Sequence, residues 1–465
     1  MKTEKSLSIS VRSFLTAIIV ILILMIGAYV LTFLVPGGSY TWVENENGNL
    51  VIDTAAPFQA VKGGLPFYKW LLSPILVLGA DGGGTLIAVI AFLLVIGGVF
   101  TALDKSGMMH YMLAKTAHTF GAVRYRLMAV VVFLFMAMGA MIGSFEECVP
   151  LVPIVVALAV SLGWDPLVGM GMSLLAVGCG FASGVCNPFT VGVAQQLAGL
   201  PMFSGAWLRL VSFAAIYGLL VGFLMLYAKR IEKPLETVAK QDDFVADAKM
   251  DKALAIFLWI LGVGIALVLS SGFITFLQDL TMVIVAITFL LAGMISTMKS
   301  GIASKALGRA FVSGVKSILP AVAMILMAAS IRYTLQEAHV LDSLLHSAVG
   351  LATNMPGWVV VLFIYLMVLV MNFFIPSGSA KAFMLIPLIV PLGSLFGISA
   401  QLCVLAFAFG DGFSNVFYPT NPALLIGLGL ADVSYGKWFR WSGLFQLLNL
   451  VLTALILLLG LAVGY

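Results

Sequence analysis

The chain has 465 residues, 62% of them hydrophobic and 9% charged, with a mean hydropathy of +1.13. A soluble domain carries about 25% charged residues, so this composition excludes a soluble enzyme and describes a polytopic membrane protein. The net charge of +4 comes from basic residues in short loops, which orients the chain in a bilayer and gives no reason to expect nucleic acid as a partner.

Lys2, Lys5 and Arg12 precede an apolar run over 14–35. At roughly 22 residues the run is long enough to span and too long for a signal-peptide core, so it predicts a retained first helix. The positive-inside rule then puts the N-terminus in the cytoplasm and the polar loop over 37–64 outside. An interfacial segment over 67–78 and a second span over 85–103 follow. Lys105, Lys115, Arg124 and Arg126 mark a cytoplasmic stretch, whose middle, 108–120, predicts a helix lying on the membrane surface.

From 127 to 162 the chain is apolar except for Gly143-Ser144 and the pair Glu146, Glu147. Two full crossings and a re-entrant hairpin both begin and end on the same side. The polar tip without a true loop, and Pro150 and Pro153, favour the hairpin. A long apolar stretch over 166–200 is broken at Cys186-Asn187-Pro188, and a span over 207–228 returns to the most charged loop, Lys229 to Lys252. One extra helix, 253–270, crosses outward.

The pattern then recurs from the opposite side. A span over 282–298 returns to Lys299, Lys305, Arg309 and Lys316, and a helix over 318–336 leads out to a surface stretch at 339–353. A second hairpin over 358–395 has its tip at Ser377-Gly378-Ser379. A second broken helix over 401–430 is interrupted at Thr420-Asn421-Pro422, and a last span ends at Tyr465. Pro153 and Pro387, Gly163 and Gly397, and Asn187 and Asn421 share one offset (421 − 187 = 234). Loop charge and parity give the halves opposite topology. The predicted fold is therefore an all-α polytopic membrane protein with two inverted repeats, 1–229 and 276–465, joined by a segment over 230–275, each with a re-entrant hairpin and a broken helix.

Proline removes a backbone donor, and in lipid each freed carbonyl needs an internal partner. Two Asn-Pro breaks and two polar tips at matched places point to a binding site between the repeats of a secondary transporter. The tips and breaks supply N–H groups, carbonyls and side-chain oxygens. Ser144, Asn187, Ser377, Ser379, Thr420 and Asn421 are the candidate substrate ligands, with Gly143, Asn187, Gly378, Asp411 and Asn421 placed at a coupling ion, sodium or proton. Glu146 and Glu147 carry the strongest single signal, since an acid at mid-membrane is costly and functional by default. They serve a cationic substrate group, a coupling ion or a proton; if the hairpin is instead two full spans, they lie at the outer surface. Lys381 stands where the second repeat matches Glu147. It pairs with that glutamate, holds an anionic carboxylate, or snorkels to the outer surface. Asp411 is an ion or proton site, or a local helix cap. The four cysteines read as buried small residues and the four histidines as interfacial; Arg332 reads as a snorkelling anchor. With no Walker A, HExxH or nucleophile-elbow pattern, a carrier is favoured over a membrane enzyme, and paired hairpins favour it over a channel.

Through Gly143-Ser-Phe-Glu-Glu147, Cys186-Asn-Pro-Phe-Thr190 and Tyr418-Pro-Thr-Asn-Pro422 the chain resembles, over nearly its whole length, the DcuC-like C4-dicarboxylate anaerobic carrier family and its YfcC branch. The resemblance implies inverted repeats with re-entrant hairpins, elevator-type motion, a homodimer in the bacterial cytoplasmic (inner) membrane, and tips that bind substrate and sodium together. Glu146 and Glu147 depart from a dicarboxylate site. They agree with the basic amino acid exchange, of the arginine–ornithine type, often described for this branch. A basic amino acid antiporter is therefore placed first and a C4-dicarboxylate carrier second.

Overall fold

A computed structural model describes residues 11–44, 50–53, 56–80, 83–120, 123–141, 143, 145–201, 203–232, 246–271, 281–352 and 355–465. Helix α1 (Val11–Leu34) leads into an extended segment with four short strands, β1 (Gly38–Ser39), β2 (Trp42–Glu44), β3 (Leu50–Ile52) and β4 (Gln59–Ala60). β1 pairs antiparallel with β4, and β2 with β3. The sequence predicts only a polar loop here, because strands this short carry no alternating pattern to read. Then come α2 (Phe67–Leu76), α3 (Gly83–Lys105) and α4 (Met108–Phe120).

The first tip lies between α5 (Arg124–Met141) and α6 (Val152–Ser161), joined through a 3-10 turn over Glu146–Leu151. Next is α7 (Pro166–Ser183), which widens into a π turn over Gly171–Leu175. After an interruption, α8 covers residues 188–197, and α9 (Ala206–Ile231) follows. The second half continues with α10 (Ala248–Ser271), α11 (Thr281–Lys299), α12 (Ser304–Glu337), α13 (Val340–Ala352), α14 (Gly357–Phe374), α15 (Gly378–Leu395), α16 (Ala400–Gly412), α17 (Pro422–Leu430) and α18 (Tyr435–Ala462). Among the described residues, six helices are long and apolar enough to cross a membrane: α5, α7, α9, α14, α15 and α18. One boundary needs correction. The helix expected from 318 begins at Ser304 and runs through Pro320, because the basic stretch with Lys305, Arg309 and Lys316 is still helical.

The offset of 234 survives into the backbone. Gly163 and Gly397 both have positive φ, 88° and 71°. Two residues later Asp165 caps α7 by accepting from the Val168 N–H, and Ser399 caps α16 by accepting from the Leu402 N–H, each at 3.1 Å. Near the end of α8, Gln195 donates to Gln401 at the start of α16 at 3.0 Å. The end of one interrupted helix therefore meets the start of the other.

Helices pack in the same way in both halves: α5 lies on α7, and α14 on α16. The first contact is close enough that a Cβ on Gly180 would sit 1.9 Å from the Met136 carbonyl oxygen. The halves also exchange partners, with α15 on α8 and α17 on α6. One large core holds these elements, and a smaller one joins α3, α10 and α11 through Val99, Phe100, Ala253, Phe257, Phe289 and Ala292.

Candidate functional site

At the first interruption α7 ends on Gly184, in the left-handed conformation, and helix resumes at Pro188. Asn187 is fully buried, and its Oδ1 accepts from the Thr190 N–H at 3.3 Å, capping the new helix start. The freed Val185 carbonyl accepts from Arg209 Nε at 3.3 Å. The Cys186 N–H donates to the Ala140 carbonyl at 3.0 Å and ties the break to the top of α5. Gly143 lies against the break with φ of 77°, and a Cβ there would fall 2.2 Å from Asn187 Oδ1. Gly143→Ala should therefore leave the carrier expressed and cut its transport rate at least tenfold, measured as initial uptake in vesicles normalised to protein content.

At the second interruption α16 tightens into a 3-10 turn over Phe413–Val416 before α17 starts at Pro422. The released carbonyls are collected by α18. Gln446 donates to the Phe413 oxygen at 3.3 Å, Trp438 Nε1 to Val416 at 2.8 Å, and the Tyr435 hydroxyl to Phe417 at 3.0 Å. This answers the demand that lipid places on a broken helix. Asn421 repeats the role of Asn187: its Oδ1 accepts from the Ala423 N–H at 2.9 Å, and its Nδ2 donates to Asn415 Oδ1 at 3.0 Å.

Between the breaks lies a buried ion pair. Lys381, in the first turn of α15, places Nζ 2.6 Å from Asp411 Oδ1, with both side chains excluded from solvent. Its ammonium also donates to the Ile375 carbonyl at 2.9 Å and to Asn372 Oδ1. The two N–H groups of Asn372 Nδ2 in turn share three acceptors, the Asp411 carbonyl, Ser414 Oγ and Asn415 Oδ1, at 3.0, 2.6 and 3.0 Å. A Cβ on Gly378 would lie 2.4 Å from Thr190 Cγ2 and 2.7 Å from Asp411 Oδ2. The start of α15 thus sits against both the first turn of α8 and the carboxylate on α16.

Gly143 and Asn187 meet at one tip, and Gly378, Lys381 and Asp411 meet at the other. Ser377 is exposed, Ser379 half-buried, and Thr420 buried with no hydrogen-bond partner for its hydroxyl among the described residues. Glu146 is exposed at the start of its 3-10 turn and close enough to Asp411 for their charges to interact. Ser144 lies outside the described residues, and of Glu147 only the backbone is described. The Lys381 partner is Asp411, and the buried ammonium does not snorkel to a surface. Asn372, Ser414, Asn415 and Arg209 join the site although no sequence motif marks them. A lone Asn in the apolar run of α14 and an Arg two residues inside the span after the first break are the signals the sequence carries for two of them.

Residues 14–462 match the family described as C4-dicarboxylate anaerobic carrier (DcuC). The chain belongs to this family. It is also 31% identical over 414 residues to YfcC of Escherichia coli (strain K12), provisionally described as a basic amino acid antiporter, covering 82% of this chain and 79% of that protein. That alignment places it in the YfcC branch. Among solved structures it is similar to the Alcanivorax borkumensis YdaH transporter (TM-score 0.43, 18% identity, 97% of this chain and 99% of that one). It is likewise similar to Neisseria gonorrhoeae MtrF (TM-score 0.43, 16% identity, 96% and 94%). As a DcuC-family chain it is a multi-pass membrane carrier of a small solute, not an enzyme.

Proposed function

We propose that this DcuC-family carrier moves a small carboxylate-bearing solute, C4-dicarboxylates first, together with a cation that neutralises Glu146. The observation that carries the reading is the meeting of two helix starts, Gly378 on α15 and Thr190 in the first turn of α8. Helix N-termini carry partial positive charge and, where they are not already capped as the Thr190 N–H is by Asn187, N–H donors, which suits a carboxylate. Ser377, Ser379 and Thr420 add hydroxyls. Lys381 is already neutralised by Asp411, so the anion rests on these dipoles. Glu146, exposed and within electrostatic reach of Asp411, opposes a dianion until a proton or sodium covers it. Repulsion of this kind couples solute to cation.

The family description supports putting dicarboxylates ahead of basic amino acids, the reverse of the order drawn from the glutamates and the exchange described for the branch. The amino acid reading keeps two supports: the provisional description of YfcC as a basic amino acid antiporter, and Glu146, an exposed carboxylate near a site whose fixed cation is used internally. An amino acid would set its carboxylate on the helix starts and its cationic end on Glu146. The site would alternate by elevator-type motion of two inverted repeats, 1–229 and 276–465 with 230–275 between them, in a dimer in the inner membrane with a cytoplasmic N-terminus. The contact of Gln195 with Gln401, the matched caps at 165 and 399, and the separate core of α3, α10 and α11 support that reading.

Liposomes preloaded with succinate or with ornithine separate the substrates. Labelled succinate entry driven by a sodium or proton gradient is the expected result. Labelled arginine entry that requires internal ornithine, with no succinate entry, would put the amino acid first.

A further inference from the structure

The ammonium of Lys381 is enclosed by oxygens: the Asp411 carboxylate at 2.6 Å, the Ile375 backbone carbonyl at 2.9 Å, and Asn372 Oδ1. The orientation of Asn372 is fixed, because its Nδ2 faces three acceptors, the Asp411 carbonyl, Ser414 Oγ and Asn415 Oδ1. Only the amide oxygen is left to turn toward Lys381. The Ile375 carbonyl is available because α14 stops at Phe374, before the tip. One carboxylate, one backbone carbonyl and one amide oxygen form a hard-oxygen cage with a single negative charge. Such a set suits a monovalent metal cation as well as it suits an ammonium.

Lys381 is fully buried, yet it stands only three residues from Gly378 at the tip, and Ser377 beside it is exposed. The lysine's methylenes span the distance from the helix start to the oxygens that hold its ammonium. We propose that Lys381 is a tethered cation occupying a monovalent metal site, so that the second hairpin carries its positive charge permanently and needs no sodium. The proposal takes the carrier reading as given and names the ion occupancy of its second half-site. Glu146, at the other tip, is left as the place where an exchangeable cation acts. The two halves would then share one plan, with a mobile cation at one tip and a built-in cation at the other.

Removing the side chain should empty the cage and open it to sodium. Purified Lys381→Ala protein should unfold at a temperature that rises by about 3 °C as sodium chloride replaces choline chloride up to 150 mM at constant ionic strength, in a saturable manner. The readout is the increment over the parent protein, so any sodium bound at the first tip cancels. Lys381→Met fills the same space without charge and should show no increment. Adding Asp411→Asn to Lys381→Ala should abolish it. No increment in Lys381→Ala, an equal one in Lys381→Met, or a Lys381→Ala protein that is not monodisperse even in sodium would overturn the proposal. Because the readout is ion binding without solute, failure of the dicarboxylate assignment leaves this result standing, and the reverse also holds.

Discussion

Asp411→Leu alone should yield almost no monodisperse carrier, and adding Lys381→Met should restore it. The single change strands the Lys381 ammonium in a dry interior with only Asn372 Oδ1 and the Ile375 carbonyl as partners. Breaking a buried pair by removing one member costs about 3–5 kcal/mol, whereas replacing both members by apolar groups of similar volume is often neutral or stabilising. A loss of that size is a large share of the 5–15 kcal/mol or so that holds an ordinary domain together. The double variant removes both charges and leaves Asn372 with its three acceptors on α16 and the turn after it. Size-exclusion profiles of fluorescently tagged protein in detergent read the outcome directly. Equal recovery of Asp411→Leu and of the double variant would mean that the pair is not buried in the membrane-embedded protein.

That ion pair also marks where the sequence stops being legible. The Asn-Pro breaks and the Gly-Ser tips can be read because proline and glycine change the backbone wherever they stand. Gly163 and Gly397, Asp165 and Ser399, and Asn187 and Asn421 carry the same conformational tasks at one spacing. Lys381 is different. Matching the two repeats sets it against Glu147, yet its partner is Asp411, thirty residues further along its own repeat (411 − 381 = 30). Repeat matching compares equivalent positions and is blind to contacts inside one half. A different rule would have found the pair: the one lysine and the one aspartate inside adjoining apolar elements must neutralise each other. Arg209 carries no sequence motif of its own, yet it is fully buried and holds the carbonyls of Val185 and Ser204. A basic residue just after a helix break, in a chain where broken carbonyls need donors, is the signal that marks it. The short strands over 38–60 had no such signal. They form by pairing with one another and by contact with α13 and α15, including the Tyr40 N–H donating to Asp342 at 3.2 Å and Phe58 stacked on His346.

Glu146→Gln should separate the two substrate readings more sharply than any other single change. Glutamine keeps the size and hydrogen-bonding reach of the side chain and removes its charge. If a dicarboxylate is carried with a cation, the carboxylate is what makes the cation necessary. The variant should then still exchange succinate for succinate across liposomes, because the helix starts at Gly378 and Thr190 are untouched. It should lose accumulation driven by a sodium or proton gradient by about tenfold or more, an amount equivalent to losing one charge-assisted contact. If a basic amino acid is carried, the same carboxylate is the ligand of its cationic end. Arginine entry and ornithine exchange should then fall together to background, with no exchange activity remaining. Counterflow and gradient-driven uptake, measured side by side on one preparation, tell these apart. A variant that keeps both at the parent level would remove Glu146 from the site and pass the cation's role to Glu147, one residue on in the same 3-10 turn.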